Sequence, residues 1–191
     1  MLQSKRIKFS ALSIQHQTPQ ELLAQAQLVH SPEVIADAVN RLGLEISSQL
    51  SHTAPVVICV MNGGLVFAGR LLTQLTFPLQ VDYIHASRYQ NQKEGQTLTW
   101  FAAPRLDLNN RTVLLIDDIL DEGITLQAIR EKCLALGAKA VFSAVLAEKS
   151  INRHADIRAD YVGLTVPNRY VFGFGMDIHG YWRNLPAIYA L

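Results

Sequence analysis

The chain has 191 residues, with 17 Lys plus Arg, 16 Asp plus Glu and a formal net charge of +1. Hydrophobic residues make up 49% and charged ones 17%, against about 25% charged in an ordinary globular domain. That balance excludes a disordered, collagenous or supercharged chain. It also gives overall charge no part in binding nucleic acid or a membrane surface.

Residues 1–18 are mixed and polar and read as an arm. Their basic residues are not followed by an apolar stretch, so the start does not read as a secretory leader. No segment approaches the ~18–20 apolar residues that span a bilayer, and a cytoplasmic protein is expected. A short helix is expected from Pro19 to Val29. Ser31 and Pro32 form a helix entrance, with Ser31 as N-cap and proline at N1, where its missing N–H costs nothing. Ile35, Val39, Leu42, Ile46 and Leu50 then recur at helical spacing and predict one face packed on a sheet.

Val56–Met61 is a continuous apolar run that stops at Asn62-Gly63-Gly64. Apolar residues on both faces predict a central parallel strand covered by helices. A helix is expected over 65–75, a strand over Leu79–Ala86, a polar insertion over Arg88–Gly95 and a short strand over Thr97–Ala102. Thr112–Ile116 is β-prone and apolar, and Asp117–Thr125 interrupts it. A helix follows from Thr125 to Leu136, ending at Gly137. Ala138–Ala147 and Tyr161–Val166 are further strands, and Tyr170–Phe174 is a compact aromatic segment. Alternating strands and helices predict one α/β domain over residues 1–191, a mainly parallel open sheet flanked by helices. Cys59 and Cys133 lie in apolar segments and are expected to be buried free thiols.

In such sheets, ligands bind beyond the carboxyl ends of the strands. Two glycine turns fall there, Asn62-Gly63-Gly64 and Asp121-Glu122-Gly123-Ile124-Thr125. Backbone N–H groups in such turns, with a helix start, can cradle a phosphate. Neither turn has the spacing of a P-loop or of a dinucleotide-binding fingerprint. Asp117 and Asp118 are adjacent on a strand, so a purely apolar core would reject at least one of them. At a strand end the pair can bind a diol or Mg²⁺-bound water. Asp121, in the turn, can exchange a proton with a bound base. The alternative on residues alone is a solvated turn with helix-capping carboxylates.

Residues 113–126, Val-Leu-Leu-Ile-Asp-Asp-Ile-Leu-Asp-Glu-Gly-Ile-Thr-Leu, resemble the phosphoribosyl pyrophosphate signature of the type I phosphoribosyltransferases. Val60–Gly64 is similar to their pyrophosphate loop. The similarity continues through Ser87-Arg88-Tyr89, Lys149, Asp160–Gly163, Arg169-Tyr170-Val171 and Gly175–Arg183, and resembles most the hypoxanthine-guanine branch. The resemblance implies transfer of a 5-phosphoribosyl group from phosphoribosyl pyrophosphate to a 6-oxopurine, hypoxanthine or guanine, with Mg²⁺ as cofactor. It also implies a homodimer or homotetramer, and a small base-binding hood formed by the N- and C-terminal segments.

By that resemblance Asp117 and Asp118 contact the ribose hydroxyls directly or through Mg²⁺, and Asp121 faces purine N7. Asp121, Glu122, Gly123, Ile124 and Thr125 hold the 5′-phosphate. Met61, Asn62 and Gly63 hold pyrophosphate, with a cis peptide at Met61–Asn62. Lys149 donates to the 6-oxo group, Tyr170 stacks on the base, Val171 meets its edge, Asp177 holds metal and Arg183 pairs with pyrophosphate. Arg88, Tyr89 and Arg169 belong to the substrate-binding set. The 88–95 segment is the candidate lid.

There are departures from the family pattern. Asn62 stands at an often basic position, Glu122 and Ile124 replace smaller or more polar residues, and Arg88 stands where a small residue is common. A xanthine-preferring enzyme and a non-catalytic nucleotide-binding regulator are the alternative readings.

Overall fold

A computed structural model describes residues 17–89, 97–151 and 157–191. The main sheet contains β2 (Val56–Met61), β3 (Gln80–Tyr89), β4 (Thr97–Ala102), β5 (Thr112–Leu120), β6 (Ala140–Lys149) and β7 (Tyr161–Val166). Their order is β4-β3-β2-β5-β6-β7. All neighbouring pairs are parallel except β3–β4, where the chain turns back to form an antiparallel edge.

The first helix, α1 (Pro19–Gln25), opens with a capping box in which Thr18 and Glu21 satisfy each other's backbone N–H groups. It ends four residues before the expected Val29, because Ala26 is extended and Gln27–His30 (β1) pairs antiparallel with Ile188–Ala190 (β9). Long-range pairing overrides local helical propensity here. With Val171–Phe172 (β8), these strands form a second small sheet, β1-β9-β8, built from both ends of the chain. The β9 strand was not among the sequence expectations.

The long helix α2 (Pro32–Leu50) begins as expected, with the Ser31 side chain accepting from the Val34 N–H. Its stripe of Ile35, Val39, Leu42, Ile46 and Leu50 is buried, together with Phe67 and Leu71 of α3 (Gly64–Leu72), on one face of the sheet. The other face is covered by α4 (Ile124–Ala135) through Leu126, Ile129 and Cys133. A Leu42→Ala change in this first layer, at a fully buried position, would cost about 2–5 kcal/mol. With both faces covered, β2 and β5 are apolar throughout their middles, which is why they read as continuous runs. Cys59 and Cys133 are buried free thiols in different layers. Burial pushes both thiols up to about 11, with Asp117 and Asp118 adding to the shift at Cys59.

The crossover from β4 to β5 is pinned by Asp82. Its carboxylate accepts the N–H groups of Tyr83, Arg105 and Leu106 at 2.8, 2.6 and 2.8 Å. These bonds hold its pKa below the usual carboxylate range although burial opposes them. Among the described residues, no helix is long and apolar enough to cross a membrane.

Candidate active site

The parallel strands β2, β5 and β6 release their chains at one edge of the sheet, and the functional candidates collect there. At the end of β2 the Met61–Asn62 peptide is cis, as the family resemblance implied, and α3 starts at Gly64. The turn lies flush against β5. A Cβ on Gly63 would run into the Asp118 carboxylate, and one on Gly64 would come within 2.6 Å of the Ile116 carbonyl. Backbone contact requires glycine at Gly64, whereas a side chain at Gly63 would displace the Asp118 carboxylate.

The β5 strand continues to Leu120, past the expected end at Ile116, so Asp117 and Asp118 belong to the strand itself. Gly123, at φ 84°, then turns the chain into α4 as an N-cap without a side-chain acceptor. The first-turn N–H groups of a helix have no intrahelical partner and carry its positive dipole end. They lie beside Gly123 and Thr125, which line the cleft.

That cleft has a volume of about 600 Å³. Its lining includes Met61, Asn62 and Gly63 from the end of β2 and the turn after it, Asp117 and Asp118 on β5 with Asp121 just beyond, and Gly123 and Thr125 at the start of α4. Tyr170, Asp177 and Arg183 come over it from the C-terminal segment. A smaller hollow of about 220 Å³ adjoins it, sharing Asp118, Ile119, Asp121, Tyr170 and Asp177 and adding Lys149, Val171 and Met176. Gly175, at φ 104°, seats the C-terminal loop directly on the Gly63 carbonyl.

The charges are arranged in pairs. Lys149 Nζ donates to Asp121 Oδ2 at 2.6 Å, with the lysine side chain 15% and the aspartate 43% exposed. Arg183 donates to the Gly175 carbonyl at 2.6 Å and pairs with Asp177 Oδ1 at 2.5 Å. Asp177 Oδ2 accepts the Gly180 N–H at 2.7 Å, and its backbone carbonyl accepts the Tyr170 hydroxyl at 3.2 Å.

The adjacent acids are coupled through the backbone. The Asp118 N–H donates to Asp117 Oδ1 and the Ile119 N–H to Asp118 Oδ1, at 2.9 and 2.8 Å. Burial raises both carboxyl pKa values, most strongly at Asp117, where the neighbouring Asp118 charge adds to the effect. At Asp118, hydrogen bonds and the Arg183 charge oppose the rise. A site that destabilises two carboxylates is suited to bind a cation or a polyol, since either restores the lost solvation. Burial also raises the Tyr170 phenol, with Asp177 adding to the shift. Among the described residues, no group of three or more His, Cys, Asp or Glu side chains could hold a metal ion.

Several expected site residues do not line the two hollows. Glu122 and Ile124 are exposed and do not line either hollow. Arg169 lies outside them as well. It donates to the Leu191 carbonyl (2.9 Å), Gln27 Oε1 (2.8 Å) and the Ala190 carbonyl (3.4 Å), which ties the small sheet together. The backbones of Arg88 and Tyr89 belong to β3. Their side chains, and residues 90–95 of the candidate lid, lie outside the described residues.

Conversely, His85 and Ala86 line the site from outside the quoted motifs, and Ser87, Ile119 and Met176, which lie within those motifs, line it without having been assigned a role. For His85 and Ser87 a signal existed: they alternate with Ala86 at the end of a parallel strand, where side chains two apart share a face.

The chain is similar to known proteins in sequence and fold. Residues 25–179 match the family model described as the phosphoribosyl transferase domain. The hypoxanthine-guanine phosphoribosyltransferase of Bacillus subtilis is 34% identical over 162 residues, covering 84% of this chain and 90% of its own length. The hypoxanthine-guanine-xanthine phosphoribosyltransferase of Tritrichomonas foetus is 32% identical over 163 residues, covering 85% and 89%. A crystal structure of a hypoxanthine-guanine phosphoribosyltransferase from Bacillus anthracis superposes with a TM-score of 0.81 at 30% identity, covering 86% of this chain and 98% of the other.

Proposed function

This chain belongs to the phosphoribosyl transferase family, in its purine branch, and on that premise we propose that it transfers a 5-phosphoribosyl group from phosphoribosyl pyrophosphate to hypoxanthine or guanine. The products are the nucleoside 5′-monophosphate and pyrophosphate. The observation that carries the proposal is the Lys149–Asp121 pair in the smaller hollow, beside the Asp117–Asp118 acids. It sets a cation able to donate to a 6-oxo group next to a carboxylate able to accept the N7 proton.

In this reading the base lies in the smaller hollow, with the Tyr170 ring against its face and the Val171 backbone at its edge. Lys149 donates to O6 and draws electron density through the ring. The bond from the base nitrogen to C1′ forms as the bond from C1′ to the pyrophosphate oxygen breaks, and Asp121 takes the proton released from N7. Asp117 and Asp118 hold the two ribose hydroxyls. The 5′-phosphate rests on the α4 start at Gly123 and Thr125. Pyrophosphate lies along Met61, Asn62 and Gly63, where Arg183 can exchange its Asp177 partner for a phosphate oxygen.

The donor set fits Mg²⁺, which takes hard oxygen ligands and is commonly held by one or two carboxylates plus substrate oxygens. Asp117, Asp118 and Asp177 are not gathered into one three-carboxylate site, so one or two of them would hold it together with substrate oxygens and water, and it would neutralise charge on the departing pyrophosphate. The β1-β9-β8 sheet, which carries Val171 and leads into Asp177, serves as the hood over the base. The reading includes self-association as a homodimer or homotetramer.

The test is to incubate the purified protein with phosphoribosyl pyrophosphate, Mg²⁺ and, separately, hypoxanthine, guanine, xanthine and adenine, and to resolve the nucleotides formed. Hypoxanthine and guanine are expected to be converted. Adenine as the only productive acceptor would sink the 6-oxopurine reading, and nucleotide binding without turnover would identify a regulator.

A further inference from the structure

We infer that His85 is a pyrophosphate-binding residue, donating from its imidazole to the leaving group at the β3 end of the cleft; the inference rests on the transferase reading above. The order of strands at the active edge carries it. Lys149 ends β6, Asp117 and Asp118 stand on β5, Met61 ends β2, and His85 stands on β3. These strands are consecutive neighbours in the sheet. At about 4.8 Å per strand, β3 lies about 10 Å from β5, on the side away from β6. Displacement at C1′ places the leaving group opposite the attacking base. With the base at β6 and the ribose at β5, the pyrophosphate extends over β2 toward β3.

His85 stands abreast of Met61 in the parallel register, and it lines the large cleft but not the smaller hollow. Its ring lies 4.8 Å from that of Phe101 on β4, at 34°, so one face of the imidazole is backed by an apolar wall and its plane is held. Ser87, two residues on, lines the same cleft and adds a hydroxyl.

The charge balance favours such a donor. The described side chains lining the large cleft include four carboxylates, Asp117, Asp118, Asp121 and Asp177, and one arginine, Arg183, which pairs with Asp177. Asn62, in the pyrophosphate turn, brings no charge. A polyanionic ligand held against this lining gains from each donor added to Mg²⁺, the loop N–H groups and Arg183. An imidazole can donate from one ring nitrogen when neutral and from both when protonated.

The experiment compares wild type with His85→Ala, His85→Leu and His85→Lys in steady state with Mg²⁺, together with direct calorimetric titration of each protein with pyrophosphate and Mg²⁺. For His85→Ala, the KM for phosphoribosyl pyrophosphate and the Kd for pyrophosphate should both rise about tenfold, the scale of one lost hydrogen bond to a charged group. The KM for hypoxanthine should stay within about twofold. His85→Lys should restore most of the affinity, which a purely structural role would not allow. His85→Leu, which also removes the donor, gives the same reading if the alanine variant fails to fold. Equal pyrophosphate affinity in wild type and the neutral variants would overturn the inference, as would an equal rise in both KM values. Absence of turnover in wild type would instead count against the transferase reading, because the titration reads the His85 site without turnover.

Discussion

Lys149→Ala separates recognition of the base from stability of the fold. In the unliganded protein the lysine makes a 2.6 Å ion pair with Asp121, whose side chain is 43% exposed. An ion pair with one partner that open to solvent contributes about 1 kcal/mol or less. In a protein of this size that is about 2–4 °C in Tm. With substrate bound, the same ammonium is assigned to the 6-oxo oxygen, and a hydrogen bond from a charged donor is worth about 1.5–3 kcal/mol. The expected loss in kcat/KM for hypoxanthine and guanine is therefore about 10- to 150-fold, with the KM for phosphoribosyl pyrophosphate nearly unchanged. The assay is steady-state kinetics with the base varied at saturating phosphoribosyl pyrophosphate, alongside thermal unfolding of the free protein. A fall of less than about threefold would refute the assignment of Lys149 to the base, provided the variant is folded. A fall accompanied by a Tm drop beyond about 8 °C would show that the pair acts on the fold instead.

Replacing Asp121 by Asn should slow pre-steady-state nucleotide formation by about 10²–10⁴-fold, the usual range for a positioned proton acceptor; near-normal chemistry would remove that role. Gly175→Ala puts a Cβ against the Gly63 carbonyl at φ 104°, so urea unfolding should show a loss of about 1–3 kcal/mol and the KM for phosphoribosyl pyrophosphate should rise, whereas an unaltered protein would show that the loop does not rest on the pyrophosphate turn. The two buried acid environments give opposite pH effects in metal-free buffer. The Asp117 pKa is raised in the folded state, so wild type loses stability as pH rises from the usual carboxylate range through that raised value; Asp117→Asn should unfold at a higher temperature than wild type at pH 8, with the difference shrinking toward pH 4. The Asp82 pKa is lowered, so its stabilisation is complete above the usual carboxylate range and is lost as pH falls through the depressed value; Asp82→Asn should be destabilised at pH 7, and a destabilised Asp117→Asn or a stabilised Asp82→Asn would contradict the burial and hydrogen-bond account. Arg169→Ala should lower Tm and speed amide exchange in β1 and β9 while leaving both KM values within about twofold; a large KM change at unchanged Tm would return Arg169 to the substrate site.

The main sheet and the acidic strand end were legible from the order of residues because their signals are local. A doubly covered parallel strand must be apolar along its length, so Val56–Met61 and Thr112–Ile116 announce themselves, and Asp117 and Asp118 stand out by violating that pattern. The Ser31–Pro32 entrance and the stripe on α2 are equally local, since capping and helical periodicity act within a few residues. The resemblance of residues 113–126 to a known signature added substrate and chemistry that residue types alone left open.

The tertiary structure decided what depends on partners distant in the chain. Gln27–His30 is a strand because Ile188–Ala190 lies beside it, and nothing within that segment shows this. Arg169 sits in a motif shared with Tyr170 and Val171, yet its hydrogen bonds reach Gln27, Ala190 and Leu191 rather than the cleft, because a side chain's direction follows from the packing around it. The pairing of Lys149 with Asp121 across 28 positions and the approach of Gly175 to Gly63 have the same origin, as does the place of His85 at the far end of the cleft. Local sequence determined which chemical groups stand at the strand ends; strand order and close packing determined which of them meet, because both are properties of the assembled sheet.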